Sequence, residues 1–165
     1  MKAIVYTSNT GFTAQYAKML AEKTGLPLYE LGKTDKALQK GTSILYMGWL
    51  FAGSVKGYSK AKRKYAIRAV CGVGLCDTGC LLAEVRKAIS LPEAIPLFTV
   101  QGGMDHSKLR GINKAMISGL TKFMAAKKEP TEDDKRMVEL LTTDACYVKE
   151  ENLSALLHWY EGQNR

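Results

Sequence analysis

The stretch Ala3-Ile4-Val5-Tyr6-Thr7-Ser8-Asn9-Thr10-Gly11-Phe12-Thr13-Ala14-Gln15 decides the reading of this chain. An apolar run stops in a hydroxyl-rich turn, and a helix-compatible segment starts at once beyond it. Apolar positions then recur at Tyr16, Met19, Leu20 and the stem of Lys23, the one-sided spacing of a helix packed back on a sheet. Strand, short polar turn and helix in this order bring hydroxyls, backbone N–H groups and the positive end of a helix dipole to one point. Such a point holds a phosphate monoester without a cation. A plain helix N-cap is the simpler reading, but it needs one hydroxyl. This turn carries four, from Thr7, Ser8, Thr10 and Thr13. No Lys follows a second Gly as in a Walker loop, and the spacing G-x-G-x-x-G of dinucleotide folds is missing.

Outward from this turn, strand and helix patterns alternate, as in a parallel sheet with helices on both faces. Strands are expected at 2–7, 26–31, 42–48, 66–75 and 95–101. Helices are expected at 12–24, 56–65, 79–90, 107–127, 131–141 and 150–160, with a brief helical turn at 34–39. Pro27 puts the second strand near an edge, and the fully apolar Ile44-Leu45-Tyr46-Met47 marks a central strand. Gly25 closes the first helix, Glu129-Pro130 breaks the long one, and Thr131 caps the next. The expectation is an α/β fold: a doubly wound five-stranded parallel sheet of order 2-1-3-4-5, a three-layer sandwich forming one domain over residues 1–165. In such a sheet a ligand sits beyond the carboxyl ends of the strands, beside the switch between the first and third. That gathers the loops 7–13, 48–54 and 74–79 around one site.

The turn Thr7-Ser8-Asn9-Thr10-Gly11-Phe12-Thr13 resembles the phosphate loop of flavodoxins, which follows a T/S-x-T-G-x-T pattern; Ser8, Thr10, Gly11 and Thr13 fall on its key positions. The resemblance spans nearly the whole chain and implies FMN as the cofactor. It implies that Gly48-Trp49-Leu50-Phe51-Ala52-Gly53 covers one face of the flavin ring. Trp49 would stack there, and the glycines would let the backbone approach closely; Phe51 reads more simply as a core residue. Gly74, Leu75, Cys76, Asp77 and Gly79 fall in a segment that resembles the second flavin loop. The Tyr often found there is missing, with Cys80 near its place, which implies a more open ring face.

The implied function is electron transfer by a flavoprotein. An FMN-dependent oxidoreductase acting on a quinone or porphyrinogen-like substrate is the alternative, because Gln101-Gly102-Gly103-Met104-Asp105-His106 resembles the wider group that includes flavodoxin-type protoporphyrinogen oxidases. Oxidases of this group carry an insertion in or after the fifth strand; residues 101–106 show no long one, which favours the carrier. A flavodoxin-like interaction domain without cofactor is a further alternative of another class. No side chain stands out as acid, base or nucleophile; His106 reads as a proton donor or, more simply, as an exposed residue at a helix start.

The net charge is +8, and Lys56, Lys60, Lys62, Arg63 and Lys64 form the densest cationic run, interleaved with Tyr58 and Tyr65. It suits an acidic redox partner or an anionic membrane face, and equally a solvated helix face with snorkelling lysines. No nucleic-acid motif accompanies it. Cys71, Cys76, Cys80 and Cys146 lack the spacing of a zinc or iron–sulfur site. The first strand ends in Tyr6-Thr7-Ser8 without the acidic pair of a phosphoacceptor domain. No apolar run approaches the roughly 20 residues of a membrane span, and the first apolar stretch does not read as a secretory leader. The cytoplasm is the expected location.

Overall fold

The computed structural model describes residues 1–33 and 38–163. It is an α/β structure built on a mainly parallel central sheet flanked by helices. The parallel strands are β1 (Ala3–Thr7), β2 (Leu28–Glu30), β3 (Ser43–Phe51), β5 (Ala66–Gly74) and β6 (Leu97–Gln101), in the order β2-β1-β3-β5-β6. A two-residue strand, β4 (Ser54–Val55), pairs antiparallel with the end of β3. The helical turn expected at 34–39 falls largely on residues 34–37, outside those described.

Alternation along the strands sorts the core into two faces. Ala3, Val5, Ile44, Tyr46 and Val70 point to one side. There they meet Tyr58 and Ala61 of α2 (Tyr58–Lys64) and Val85 of α3 (Leu82–Ala88). Ile4, Leu45, Met47, Ala69 and Cys71 point to the other, against Tyr16, Ala17 and Leu20 of α1 (Phe12–Thr24) and Leu156 of α6 (Ser154–Gly162). Both faces are thus buried along most of β1 and along residues 44–48 of β3 and 69–73 of β5, which is why those stretches are continuous apolar runs.

Two departures from the sequence reading shape the site. First, 48–54 is not a loop. β3 continues to Phe51, and Ala52-Gly53 turns the chain straight into β4, with Phe51 opposite Ser54. Both turn residues have positive φ, 48° and 74°, the backbone of a two-residue hairpin turn that matches strand twist. Gly48 lies inside β3: a Cβ there would stand 2.5 Å from the Lys56 carbonyl, so this glycine lets the hairpin fold over the strand.

Second, there is a long excursion after the fifth parallel strand. The chain leaves β6 through β7 (Gly103–Met104) and a 3-10 turn, His106–Lys108. It then forms α4 (Gly111–Ala125) and α5 (Glu132–Thr142) and returns in β8 (Ala145–Cys146), which pairs antiparallel with β7. Gly103 permits that pairing, since a Cβ would lie 2.2 Å from the Ala145 carbonyl. α4 and α5 belong to neither helical layer. The buried residues of the excursion, Met104 of β7, Leu109 before α4, Ile117 of α4 and Leu141 of α5, pack on Phe51 and Leu75, at the carboxyl ends of β3 and β5. The helix expected at 107–127 therefore begins at Gly111, and that expected at 79–90 is only Leu82–Ala88.

Ala52 holds a left-handed conformation without the freedom of glycine, is exposed, and is followed by Gly53. Replacing it with Asn, which tolerates this conformation, is expected to raise unfolding stability by about 1 kcal/mol in chemical denaturation. An unchanged or lowered midpoint would contradict the turn geometry.

Candidate functional site

β1 delivers Thr7 to the carboxyl edge of the sheet, and the chain turns through Ser8, Asn9 and Thr10 into α1. Gly11, at φ 101°, is the N-cap and offers no side-chain cap. The first amides of a helix lack intrahelical partners. Ser8 Oγ reaches back to accept from the amides of Gly11 and Ala14, at 3.2 and 3.4 Å. The amides of Phe12 and Thr13 are the intervening pair, backed by the dipole of a 13-residue helix. Thr13 is buried at the foot of the turn. This cluster can hold an anion by neutral donors alone.

Thr7 is committed elsewhere. The Tyr46 hydroxyl donates to the Lys56 carbonyl at 2.7 Å and accepts from the Thr7 hydroxyl at 2.9 Å. Burial pushes Tyr46 up to about 12, so it stays a neutral structural link.

Ser8, Asn9, Thr10, Phe12 and Thr13 line a cleft together with Trp49, Leu50, Gly74 and Leu75. Trp49 stands beside Phe51, ring centres 6.1 Å apart and inclined at 64°, with Lys56 Nζ 5.7 Å from the Trp49 ring and 5.0 Å from the Phe51 ring. Leu50 is seated on the glycines of β5: a Cβ at Gly74 would touch it at 3.0 Å. Phe51, Ala52, Gly53 and Cys76 line a second, apolar groove beside the first, with Leu50, Gly74 and Leu75 shared between the two. Gly11, Gly48 and Gly79 line neither; Gly79 shapes the turn after β5 and donates its amide to the Thr99 carbonyl. Asp77 also lies outside the cleft, bound at 2.9 Å by Arg136 of α5.

The opposite wall comes from residues the sequence reading did not assign. Met104, Leu109 and Ile117 of the excursion close over the turn, and Asn113 of α4 donates to the Asn9 side chain at 2.9 Å. The spacing of Ile117, Leu120 and Met124 marks an inward face of α4, but nothing local to it names the surface it covers. The cleft encloses only about 60 Å3. Small-molecule sites usually exceed roughly 300 Å3, so a tricyclic ring enters only if the excursion shifts.

His106 makes the clasp at the base of the excursion. Its Nδ1 lies 2.5 Å from the Asp144 carboxylate and its Nε2 3.0 Å from the Leu141 carbonyl, so both ring nitrogens meet acceptors. Cys71 is buried in β5. Cys80 is pushed up to about 12, by burial first and then by the hydrogen-bonded thiol of Cys76. A thiol so held is a poor nucleophile at neutral pH. Among the described residues no three His, Cys, Asp or Glu side chains converge to hold a metal ion. No helix among these residues is long and apolar enough to cross a membrane. No protein-family model matches the chain, and no curated protein matches its sequence.

Three carboxylates anchor the excursion, and all titrate below their ordinary range. Asp105 is drawn down to about 2, chiefly by Lys108 and then by the Ser107 hydroxyl. Asp134 is lowered first by Lys127, and Asp144 first by the backbone amide of His106. A depressed folded-state value stabilises above the unfolded value and is lost as protons bind. Thermal stability should therefore fall as the pH drops from about 4 to about 2, and Asp105→Asn should flatten that slope while lowering the neutral-pH midpoint. An Asp105→Asn profile that retains the full slope would show that this carboxylate is not linked to folding.

Proposed function

We propose that this chain is an FMN-binding redox protein of flavodoxin-like topology. The observation that carries the reading is the pair of neutral amides at the start of α1, next to hydroxyls on a cation-free turn. This donor set matches a phosphate monoester, and the strand order β2-β1-β3-β5-β6 puts it at the switch between β1 and β3. FMN supplies the redox chemistry when bound. Ser8, Thr10, Phe12 and Thr13 hold its phosphate, and Trp49 and Leu50 with Gly74 and Leu75 receive the ring. Asn9 joins this loop to the cover through Asn113. Leu109 and Ile117 exclude water from the ring's surroundings.

The excursion removes the reason for ranking a simple carrier first. A carrier needs an exposed ring edge, whereas here α4 and α5 roof the cleft and extend it into an apolar groove lined by Phe51, Leu120, Met124 and Met137. This favours an oxidoreductase that admits a flat, largely apolar substrate of the quinone or porphyrinogen kind beside the ring. A protein redox partner, acidic to suit the +8 charge, is the corresponding expectation for a carrier.

Purified protein is expected to bind FMN at micromolar concentration, with flavin absorption released on acid precipitation. Thr10→Glu places a negative charge at the phosphate and should weaken uptake by about a hundredfold, about 3 kcal/mol. A colourless protein that takes up no FMN marks a cofactor-free interaction domain. Binding untouched by Thr10→Glu removes the turn from the site. Turnover of a quinone by the loaded protein separates oxidoreductase from carrier.

A further inference from the structure

We propose that Cys76 and Cys80 form a redox-active dithiol that closes reversibly to a disulfide by exchange with small disulfides. The two lie on the connection between β5 and α3, and their thiols are hydrogen-bonded to each other. Both are partly exposed, unlike the buried Cys71, and both line an open groove of about 270 Å3, which gives a small disulfide room to approach. The backbone holds them there. The Cys80 amide donates to the Asp77 carbonyl at 3.1 Å, closing a turn whose third residue, Gly79, takes φ 86°. The Gly79 amide donates to the Thr99 carbonyl at 2.9 Å, and the Thr99 hydroxyl donates to the Cys80 carbonyl at 2.7 Å, so the turn is tied to β6. Leu81 follows at φ 56°, a left-handed conformation that is costly for a residue with a side chain and persists only where the surroundings impose it. The meeting of the two sulfurs is therefore built into the frame.

The two thiols are unequal. Burial and the neighbouring sulfur keep the proton on Cys80, which offers it to Cys76. Cys76 is thereby the nucleophile and Cys80 the resolving thiol. Cys76 gives its proton to solvent, and its thiolate attacks one sulfur of a small disulfide. A mixed disulfide forms and the first small thiolate leaves. The Cys76 sulfur then no longer bears the charge that helps hold the proton on Cys80. Cys80 gives its proton to solvent and attacks the Cys76 sulfur, which forms the bridge and expels the second small thiolate. The pair loses two electrons and two protons, and the small disulfide gains them as two thiols. A bridge over so short a loop removes little freedom from the unfolded chain, so it acts as a reversible centre and not as a structural staple. Asp77, inside that loop, is bound by Arg136 of α5 at 2.9 Å, so the bridge forms at the seam between the sheet and the excursion. The pair works with or without a flavin in the cleft.

Mass spectrometry after exposure to glutathione disulfide tests this. The full chain with Cys146→Ser, which removes the exposed thiol, is treated while folded, quenched in acid and alkylated in denaturant. The expected product lacks two hydrogens, carries no glutathione and shows a bridge that maps to Cys76 and Cys80. Excess dithiothreitol should restore both thiols. Adding Cys80→Ser should leave a lasting glutathione adduct on Cys76, and adding Cys76→Ser instead should slow adduct formation by about tenfold or more. Peptide mapping of the unaltered chain should find the same bridge without any substitution. The proposal is overturned if the folded protein keeps free thiols at both positions, if adducts accumulate without a bridge, or if the bridge forms only in denaturant. Equal rates of adduct formation at the two positions would overturn the roles assigned to them.

Discussion

The arrangement of the site follows from one unmet requirement at the start of α1. A helix must satisfy its first amides, and Gly11, the residue at the cap, has no side chain to do so. Gly11 stands there because the chain needs a left-handed turn to leave β1 and enter α1 within four residues. Ser8 relieves part of the deficit by reaching across the turn, at long hydrogen-bond distances. What remains is a pair of oriented donors in a partly buried setting, where an anion is worth more to the fold than water is. The central sheet is buried on both faces, and still no side chain among the described residues caps this pair of amides.

The sequence shows the sheet and the turn but not the cover. β1, β3 and β5 are legible because double burial demands unbroken apolar runs, and Thr7 to Thr13 because strand, hydroxyls, glycine and helix follow within so few residues. The hairpin after β3 is hidden by Ala52. A two-residue turn announces itself through Asn or Gly, and alanine in a left-handed conformation gives no such sign. Gly48 is therefore taken for a point of cofactor approach, when it accommodates β4; Phe51, read as a core residue, packs on the buried cluster of the cover and also lines the apolar groove. Thr7 counts as a phosphate hydroxyl by position, yet the Tyr46 hydroxyl, on the neighbouring strand, claims it. That pairing is a matter of sheet register, which single-sequence patterns do not carry.

The chemistry open to the chain's own side chains is narrow. Cys71 and Cys80 are held far above the range in which thiolates form. Both ring nitrogens of His106 are occupied in the clasp, away from the turn. The lining of the cleft is hydroxyls, amides, an aromatic pair and aliphatic groups. Such a set can bind and orient a ligand and keep out water; in the flavoprotein reading proposed above, the transfer of electrons belongs to the flavin.

The cover is also the part of the molecule with the least behind it. Among the described residues its buried cluster has four members, against thirteen on each face of the sheet. Its other ties among the described residues include a two-residue ladder, the His106 clasp, the Asn9–Asn113 bond and exposed ion pairs such as Asp77–Arg136. Exposed pairs of this kind contribute about 0–1 kcal/mol each. Local opening of α4 and α5 should therefore cost much less than unfolding the sheet. The cleft encloses about 60 Å3, and under the proposed function this difference in stability is what would let the cover shift to admit a ring. The rigid layer fixes the donors, and the loosely held layer decides what can reach them.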